Sequence, residues 1–578
     1  MSIDCLIDSL KVLKESAQES VENIDSFSTF KEYMHVERDI EKDLTKLLSH
    51  IKDSNKGHLI LLSGSVGDGK SHLISKLKNK QPELLNNFKI HNDASESFRP
   101  EGTSIETLNE LLIPFSDELI EQSKENIILA INLGVLNNFI NSSFAQDRYK
   151  MLRDYINESN VFNSDTETKQ WSLDEHFHIV SFGDYQLFEL HDGGPKSAYL
   201  EQLLNKLTNK TEDNPFYNSY VNTCNSNCPF SSVCPIKKNY EMLMDDEVKH
   251  GLISLLIEAI VKEKLIISTR SLLNFLYEII VSPVFDQLSS DERTKLFSSS
   301  KYKGIYIKSL LTMLLYEHKD RSFILKALQM IDPVHQRNQE IDQLLTRLNT
   351  SYRPLDVLKE LITPDQEILK QIELILEGKK LEVLDLFKYI VRTQKFATEK
   401  NLLEFKDPVY DSYMQCLYYY QTGNRIALRN LYIKIEDAIR NWYGSINDEY
   451  IYLPGDFGEF IMGQRLEIGY DTSNIQDRSN ITSYFSTNIE LKYKRKLGEP
   501  LSVSLILDYS LYHLLVKVAD GYRPNKKDKS NYLQFSDFYD RLMRLGERDK
   551  QLKIENKYQD SFKLEYDEDF GFMFERVQ

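Results

Sequence analysis

His58-Leu-Ile-Leu-Leu-Ser-Gly-Ser-Val-Gly-Asp-Gly-Lys-Ser-His72 decides how this chain is read. Its first five residues, 58–62, form a short apolar run that suits a strand buried on both faces of a parallel sheet. A Gly/Ser-rich turn follows over 63–69, and 70–79 continues with Leu73, Ile74 and Leu77 at helical spacing. Gly64-Ser65-Val66-Gly67-Asp68-Gly69-Lys70-Ser71 matches the phosphate-binding P-loop pattern G-x-x-x-x-G-K-[ST] in full. The glycines let the backbone curl round phosphate oxygens with its N–H groups inward. The helix begun by Lys70 aims the positive end of its dipole at the same point. Lys70 is then placed to reach the outer phosphates and the Ser71 hydroxyl to ligate magnesium. The expected ligand is ATP or GTP with Mg2+, contacted by Gly64, Ser65, Val66, Gly67, Asp68, Gly69, Lys70, Ser71 and His72.

Three further strands are predicted, at 88–91, 127–131 and 177–182, separated by helical stretches such as 135–140. That alternation implies a doubly wound α/β sheet. Nucleotide hydrolysis asks for more, an acid at the end of a later strand to hold the magnesium shell or activate water. Strand 127–131 ends in Asn132-Leu133-Gly134, where an amide can accept a bond from magnesium-bound water but no carboxylate stands. Asp93 and Asp184, at the ends of the other two strands, are the remaining candidates, and both positions also suit a cap or a turn. Ser268-Thr-Arg270 opens an apolar helix, so Arg270 lies where a lid helix would present it to the γ-phosphate in an AAA+-like arrangement; a surface ion pair is the alternative.

Around this domain the texture changes. Val36, Ile40, Leu44, Leu47 and Ile51 mark one face of a helix within residues 1–57. The nucleotide domain is expected to span 58–282, including a Cys-rich knob at 208–240, followed by a helical domain over 283–440 and an α+β domain over 441–578. In that last part 465–470, 484–493 and 503–507 read as strands, and 552–574 as a terminal hairpin.

With 578 residues, 41% hydrophobic and 28% charged, the chain fits a soluble globular protein of several units. A net charge of -17 argues against a surface that is everywhere a nucleic-acid cradle, though not against local basic patches. No stretch of eighteen uninterrupted apolar residues occurs and the first eight residues lack a signal peptide's pattern, so no membrane and a cytoplasmic location are expected.

Cys224-x3-Cys228-x5-Cys234 places three thiols in one segment. Zinc prefers four thiolate or imidazole ligands, and His250 or His191 is the candidate fourth; an iron–sulfur centre and mere packing are the alternatives. Cys5 and Cys416 read as isolated and ordinary. Lys492-Tyr493-Lys494-Arg495-Lys496 and Arg523-Pro-Asn-Lys526-Lys527-Asp-Lys529 are basic islands suited to phosphate backbones, with a tyrosine able to stack on bases, or else a solvated strand face and a charged loop.

Several stretches together resemble the DptF family: 61–72, Phe88-Lys-Ile-His-Asn-Asp-Ala94, Ala130-Ile-Asn-Leu-Gly-Val-Leu136, the cysteine segment, Ser268-Thr-Arg-Ser-Leu-Leu-Asn-Phe-Leu276, and Leu507-Asp-Tyr-Ser-Leu-Tyr512 with Gly521-Tyr-Arg-Pro-Asn525. The resemblance spans nearly the whole chain. It implies an ATP-binding subunit of a bacterial DNA phosphorothioation-dependent restriction complex that acts against unmodified DNA, with Gly64, Gly69, Lys70 and Ser71 as the nucleotide site. Partner proteins of the complex are implied, with DNA met through them or directly at the basic islands. A nucleotide-dependent regulatory or scaffold protein with little hydrolysis is the alternative.

Overall fold

The computed structural model describes residues 5–19, 29–52, 54–92, 103–163, 166–168, 175–224, 228–299, 302–336, 338–362, 368–370, 372–373, 383–396, 403, 405, 407–445, 450–453, 455, 458–465, 468–478, 483–495, 501–545, 551–556, 560–567 and 569–577. They fall into two compact units, Met1–Glu189 with Pro195–Lys406, and Leu190–Gly194 with Asp407–Gln578. The described residues form a mixed α/β protein with one parallel and two antiparallel sheets.

In the first unit, β1 (His58–Ser63), β2 (Phe88–His91), β3 (Asn126–Ile131) and β4 (Phe177–Ser181) form a parallel sheet in the order β2-β3-β1-β4. Leu61 sits opposite Leu129 on one side and Ile179 on the other. Every residue of β1, β3 and β4 is buried, as their unbroken apolar runs require. On one face Leu59, Leu61, Ile127, Leu129 and Ile131 pack against Leu108, Phe115, Phe139 and Tyr149 from the crossover segments. At about 1.5–3 kcal/mol for each large apolar side chain taken out of water, this layer fixes where the strand ends lie. β4 stops at Ser181, one residue short of expectation, because the Ser181 hydroxyl accepts the Gly183 N–H and starts a 3-10 turn over Phe182–Asp184.

Among the described residues three helices, Leu6–Glu19, Thr29–Met34 and Asp39–Ile51, precede β1 in this unit. Leu6–Glu19 buries Leu6, Leu10 and Leu13, and bonds outward through Ser9 Oγ to Ser219 Oγ at 2.7 Å and Lys14 Nζ to Asp286 at 2.8 Å. Asp39–Ile51 buries Ile40, Leu44, Leu47 and Ile51 as predicted. Val36 is buried too, but it precedes the helix, since Arg38 is extended at φ −112, ψ 158. Further along, the Arg392 guanidinium is 2% exposed and bonds Asp332 and Glu317 with distances of 2.6 and 2.7 Å. A charge there is tolerable only because both carboxylates pair with it.

The second unit opens with the helices Pro408–Gln421 and Arg425–Tyr443. β5 (Tyr450–Tyr452), β6 (Phe460–Arg465), β7 (Ile468–Asp471), β8 (Ile489–Arg495), β9 (Ser502–Leu507), β10 (Gln551–Asn556), β11 (Ser561–Asp567) and β12 (Gly571–Val577) form two antiparallel sheets, β12-β11-β10-β6-β5 and β7-β8-β9. The predicted strand at 465–470 is corrected: Arg465 ends β6 in one sheet and Ile468 starts β7 in the other. The strand predicted from 484 begins at Ile489, where Leu507 pairs with it. The expected terminal hairpin is a three-strand meander, because 552–574 holds two turns rather than one.

Candidate functional site

The glycine-bearing loop leaves the buried end of β1 between β3 and β4. The Gly64 N–H donates to Ile131 O at 3.3 Å, which ties the loop's base to the neighbouring strand. Gly67 at φ +88 and Gly69 at φ +101 are left-handed, a conformation that side chains with a Cβ resist. Gly69 is the N-cap of the helix Lys70–Lys80, whose first bond runs from Leu73 N to Gly69 O at 2.8 Å. Val66 stands at the exposed tip. Lys70 Nζ folds back to donate to Gly64 O at 2.9 Å and Ser65 O at 2.7 Å, so the ammonium lies over the loop. Ser71 lies half-buried in the first helical turn behind it.

Asp68 turns inward. It is 8% exposed, and its carboxylate accepts the Ser65 N–H at 2.5 Å. Burial raises its pKa; Lys70, the Ser65 amide and Arg38 offset part of that rise.

The helix Thr269–Ile280 starts on top of this loop. Ser268 caps it by accepting the Ser271 N–H, the Arg270 N–H donates to Gly67 O at 3.3 Å, and Thr269 Oγ1 donates to Asp68 O at 3.3 Å. A Cβ added at Gly67 would lie 3.1 Å from Arg270 Cβ and 3.3 Å from Ser268 Oγ. Arg270 is thus brought to the loop, 203 residues along the chain from Gly67.

A second layer comes from residues that nothing in the pattern marked. Arg38 lies 5.5 Å over the rings of both Phe182 and Tyr199 and donates to Tyr185 O. His72, at the end of the motif, meets His35 at 3.0 Å; His35 in turn contacts Lys76 at 2.6 Å and Glu41 at 3.2 Å, and Lys76 pairs with Glu41. Burial pushes the Glu41 carboxyl up, but the bonds and charges of His35 and Lys76 more than offset this and hold it below its usual value. The only sequence signal was the polar cluster His35-Val-Glu-Arg38 between two apolar segments, which names no partner.

The expected acids are placed differently. Asp184 closes the turn after β4 and accepts the Thr168 N–H at 3.1 Å. Burial raises its pKa to about 6, against the lowering by Thr168, and Glu167 adds to the rise. Asn132 caps the helix Leu133–Ile140 by accepting the Val135 N–H at 2.8 Å. Asp93 lies outside the described residues.

Cys224 ends the helix Pro215–Thr223 and Cys234 caps Pro235–Leu243, with Cys228 in the turn between. His250 is exposed on the helix Asp246–Glu263, and His191 belongs to the second unit. Cys5, read as isolated, donates its N–H to Asp8, which pairs with Arg293 on the helix Ser290–Phe297, and Phe297 of that helix stacks on Phe230 in the cysteine-rich turn. Among the described residues no three His, Cys, Asp or Glu side chains are gathered at metal-holding distances.

In the second unit Tyr493 is wholly buried beside Tyr432, Tyr470 and Phe538, so the ring of the first basic island is core rather than a stacking surface. Lys492 pairs with Glu490, Lys494 is exposed, and Lys496 lies outside the described residues. In the second island Asn525 and Asp528 form a capping box and Lys529 Nζ lies 4.1 Å over the Tyr443 ring, leaving Arg523, Lys526 and Lys527 as its outward cations.

Among the described residues no helix is long and apolar enough to cross a membrane. No family model matches the sequence, and no curated protein matches it.

Proposed function

We propose that the chain is an ATP-binding subunit of a bacterial DNA phosphorothioation-dependent restriction complex, and that residues 64–71 are its P-loop in an AAA+-like domain. The observation that carries the nucleotide reading is the joint geometry of the loop. Two left-handed glycines, a lysine at the first helical position and a second helix that brings Arg270 onto Gly67 O meet at the end of one buried parallel strand. Arg38, Lys70 and Arg270 supply positive charge around a site built from backbone amides, which favours a polyphosphate. Ser71 would hold Mg2+ once the phosphates are bound, and Lys70 would exchange its two loop carbonyls for phosphate oxygens. The restriction setting rests on the resemblance to DptF proteins; cutting is left to other members of the complex.

A second reading is favoured by one specific observation. Asn132, beside the loop's own strand, is a helix cap, and Asp184 is held by Thr168. Nucleotide in that reading is a regulatory or scaffold ligand, turned over slowly or not at all.

Titration with ATP tests the first reading, with Lys70→Ala expected to weaken binding by about 100-fold or more, from roughly 3–4 kcal/mol of lost charge–phosphate attraction. Wild-type affinity in that variant removes the nucleotide reading. Phosphate release with and without DNA then separates the two roles: stimulation by DNA supports an engine, and bound but unhydrolysed ATP supports the regulatory ligand. Normal restriction by Lys70→Ala in cells would sink the restriction role while leaving binding to be judged alone.

A further inference from the structure

Cys5 stands immediately before the Leu6–Glu19 helix and Cys224 immediately after Pro215–Thr223. These helices are joined by the 2.7 Å bond between Ser9 Oγ and Ser219 Oγ. Cys5 lies about one turn before Ser9, and Cys224 a little over one turn after Ser219, at 3.6 residues per turn. The Cys5 N–H donates to Asp8, Asp8 pairs with Arg293 at 3.6 Å, and the helix Ser290–Phe297 that carries Arg293 stacks Phe297 on Phe230 of the cysteine-rich turn, so the N-terminal end of the first helix and that turn are brought to one place. Cys228 lies in that turn and Cys234 closes it as the N-cap of Pro235–Leu243.

We infer that Cys5, Cys224, Cys228 and Cys234 form a four-thiolate site for one structural zinc ion, in which the N-terminal helix supplies the fourth ligand to the cysteine-rich turn.

The surroundings fit a zinc–tetrathiolate, which carries a net charge of −2. Arg293 is 7% exposed, its Nη1 is buried with no hydrogen-bond partner, and its positive charge acts on Cys5. Lys237 acts likewise on Cys224. A buried guanidinium with an unused N–H, held near Cys5 by its pairing with Asp8, is the second shell such an anion needs. The turn itself is held in place. Ser231 Oγ donates to Cys224 O at 2.9 Å, Phe230 stacks on Phe297 at 4.8 Å, and the Tyr302 hydroxyl donates to Val233 O. The sulfurs are not at bonding distance, but each cysteine lies at a helix end or in a turn, where rotation about χ1 swings Sγ without disturbing a helix. Metal would replace the thiol protons: four S–H bonds break, four Zn–S bonds form, and four protons leave to solvent. The inference is independent of the nucleotide reading.

Elemental analysis of the full chain, purified without chelator, and its cobalt(II)-substituted form test it. One zinc per chain is expected, with sulfur-to-cobalt charge-transfer absorption of the strength of four thiolates. Cys5→Ser should lose zinc to background under a chelator challenge that wild type survives, with cobalt absorption falling to that of three thiolates. Cys5→His should restore retention, and Cys416→Ser should change nothing. Should Cys5→Ser fail to fold, alkylation of wild type decides: zinc must protect Cys5 together with the other three. The assignment is overturned by a metal-free wild type, by an iron–sulfur chromophore, by a Cys5→Ser variant with unchanged zinc and cobalt spectrum, or by alkylation of Cys5 that ignores zinc.

Discussion

Gly67→Ala offers the sharpest test of how the loop is held. At φ +88 an alanine costs roughly 1–2 kcal/mol against its preferred backbone regions. The new Cβ would also press on Arg270 Cβ at 3.1 Å and Ser268 Oγ at 3.3 Å. Neither neighbour is the free end of a long side chain, and the Arg270 N–H is itself bonded to Gly67 O, so a few tenths of an ångström of backbone shift adds about 1 kcal/mol. The total, about 2–3 kcal/mol, applies to any state that keeps this loop conformation, the nucleotide-bound state included. It divides between two measurements. A loop that stays in place without ligand loses local stability; a loop that relaxes loses affinity instead, by up to about 100-fold. Hydrogen exchange over 64–77 reads the first and titration with a fluorescent ATP analogue the second, so neither requires two-state unfolding of a chain this long. Gly458→Ala is the control, at φ +68 with nothing within 4 Å of its new Cβ. Losses at Gly67 that sum to less than about 1 kcal/mol would refute the argument that this glycine is required by the docked helix.

Other expectations follow from the same geometry. Arg270→Ala should weaken triphosphate binding or turnover by about 10-fold or more while diphosphate binding changes less; equal effects on both would place Arg270 away from the outer phosphate. Asp184 titrates near pH 6 in the fold, above its unfolded value, so the folded state binds the extra proton and stability falls as pH rises from about 4 to 6. Asp184→Asn should remove that slope and gain roughly 2–3 kcal/mol at neutral pH, whereas a loss there would mean the carboxylate is needed charged. Glu41 shows the opposite sign: its folded pKa is lowered, so its contribution is present above its unfolded pKa and lost as pH falls through the folded one. Glu41→Gln should cost about 3–5 kcal/mol at neutral pH, converging on wild type in acid, and a penalty that persists unchanged at low pH would contradict the ion-pair account.

How much of this was legible without coordinates depended on whether the cause was local. β1, β3 and the loop at 64–71 were readable because unbroken apolar runs and a fixed glycine spacing are written in consecutive residues. The Asp39 helix begins three residues beyond Val36 and β4 ends one residue early, since these limits are set by an extended Arg38 and by one serine hydroxyl. The second unit was read least well. A strand drawn across 465–470 joined two sheets, because alternation continues through a crossover and carries no mark of which partner each half takes. Tyr493 sits among lysines in the sequence yet points into the core, as period-two alternation allows. Long-range meetings left no trace: the start of the first helix with Arg293, or Arg38 with Phe182 and Tyr185 beyond β4, are products of packing between elements far apart in the chain.

Asp68 gives the loop a property that its glycines alone would not. If the loop binds phosphate as proposed, a carboxylate tethered three residues from the Ser65 amide would compete with it from within the same chain, at an effective concentration no dilution can lower. A single phosphate reaching that amide exchanges one anion for another and gains little by it. A longer phosphate chain reaches past the exchange to the lysine and arginine beyond. On the proposed nucleotide reading, the tethered acid would make the site discriminate by the number of phosphates, rejecting the small anions that an open nest of amides would otherwise accept.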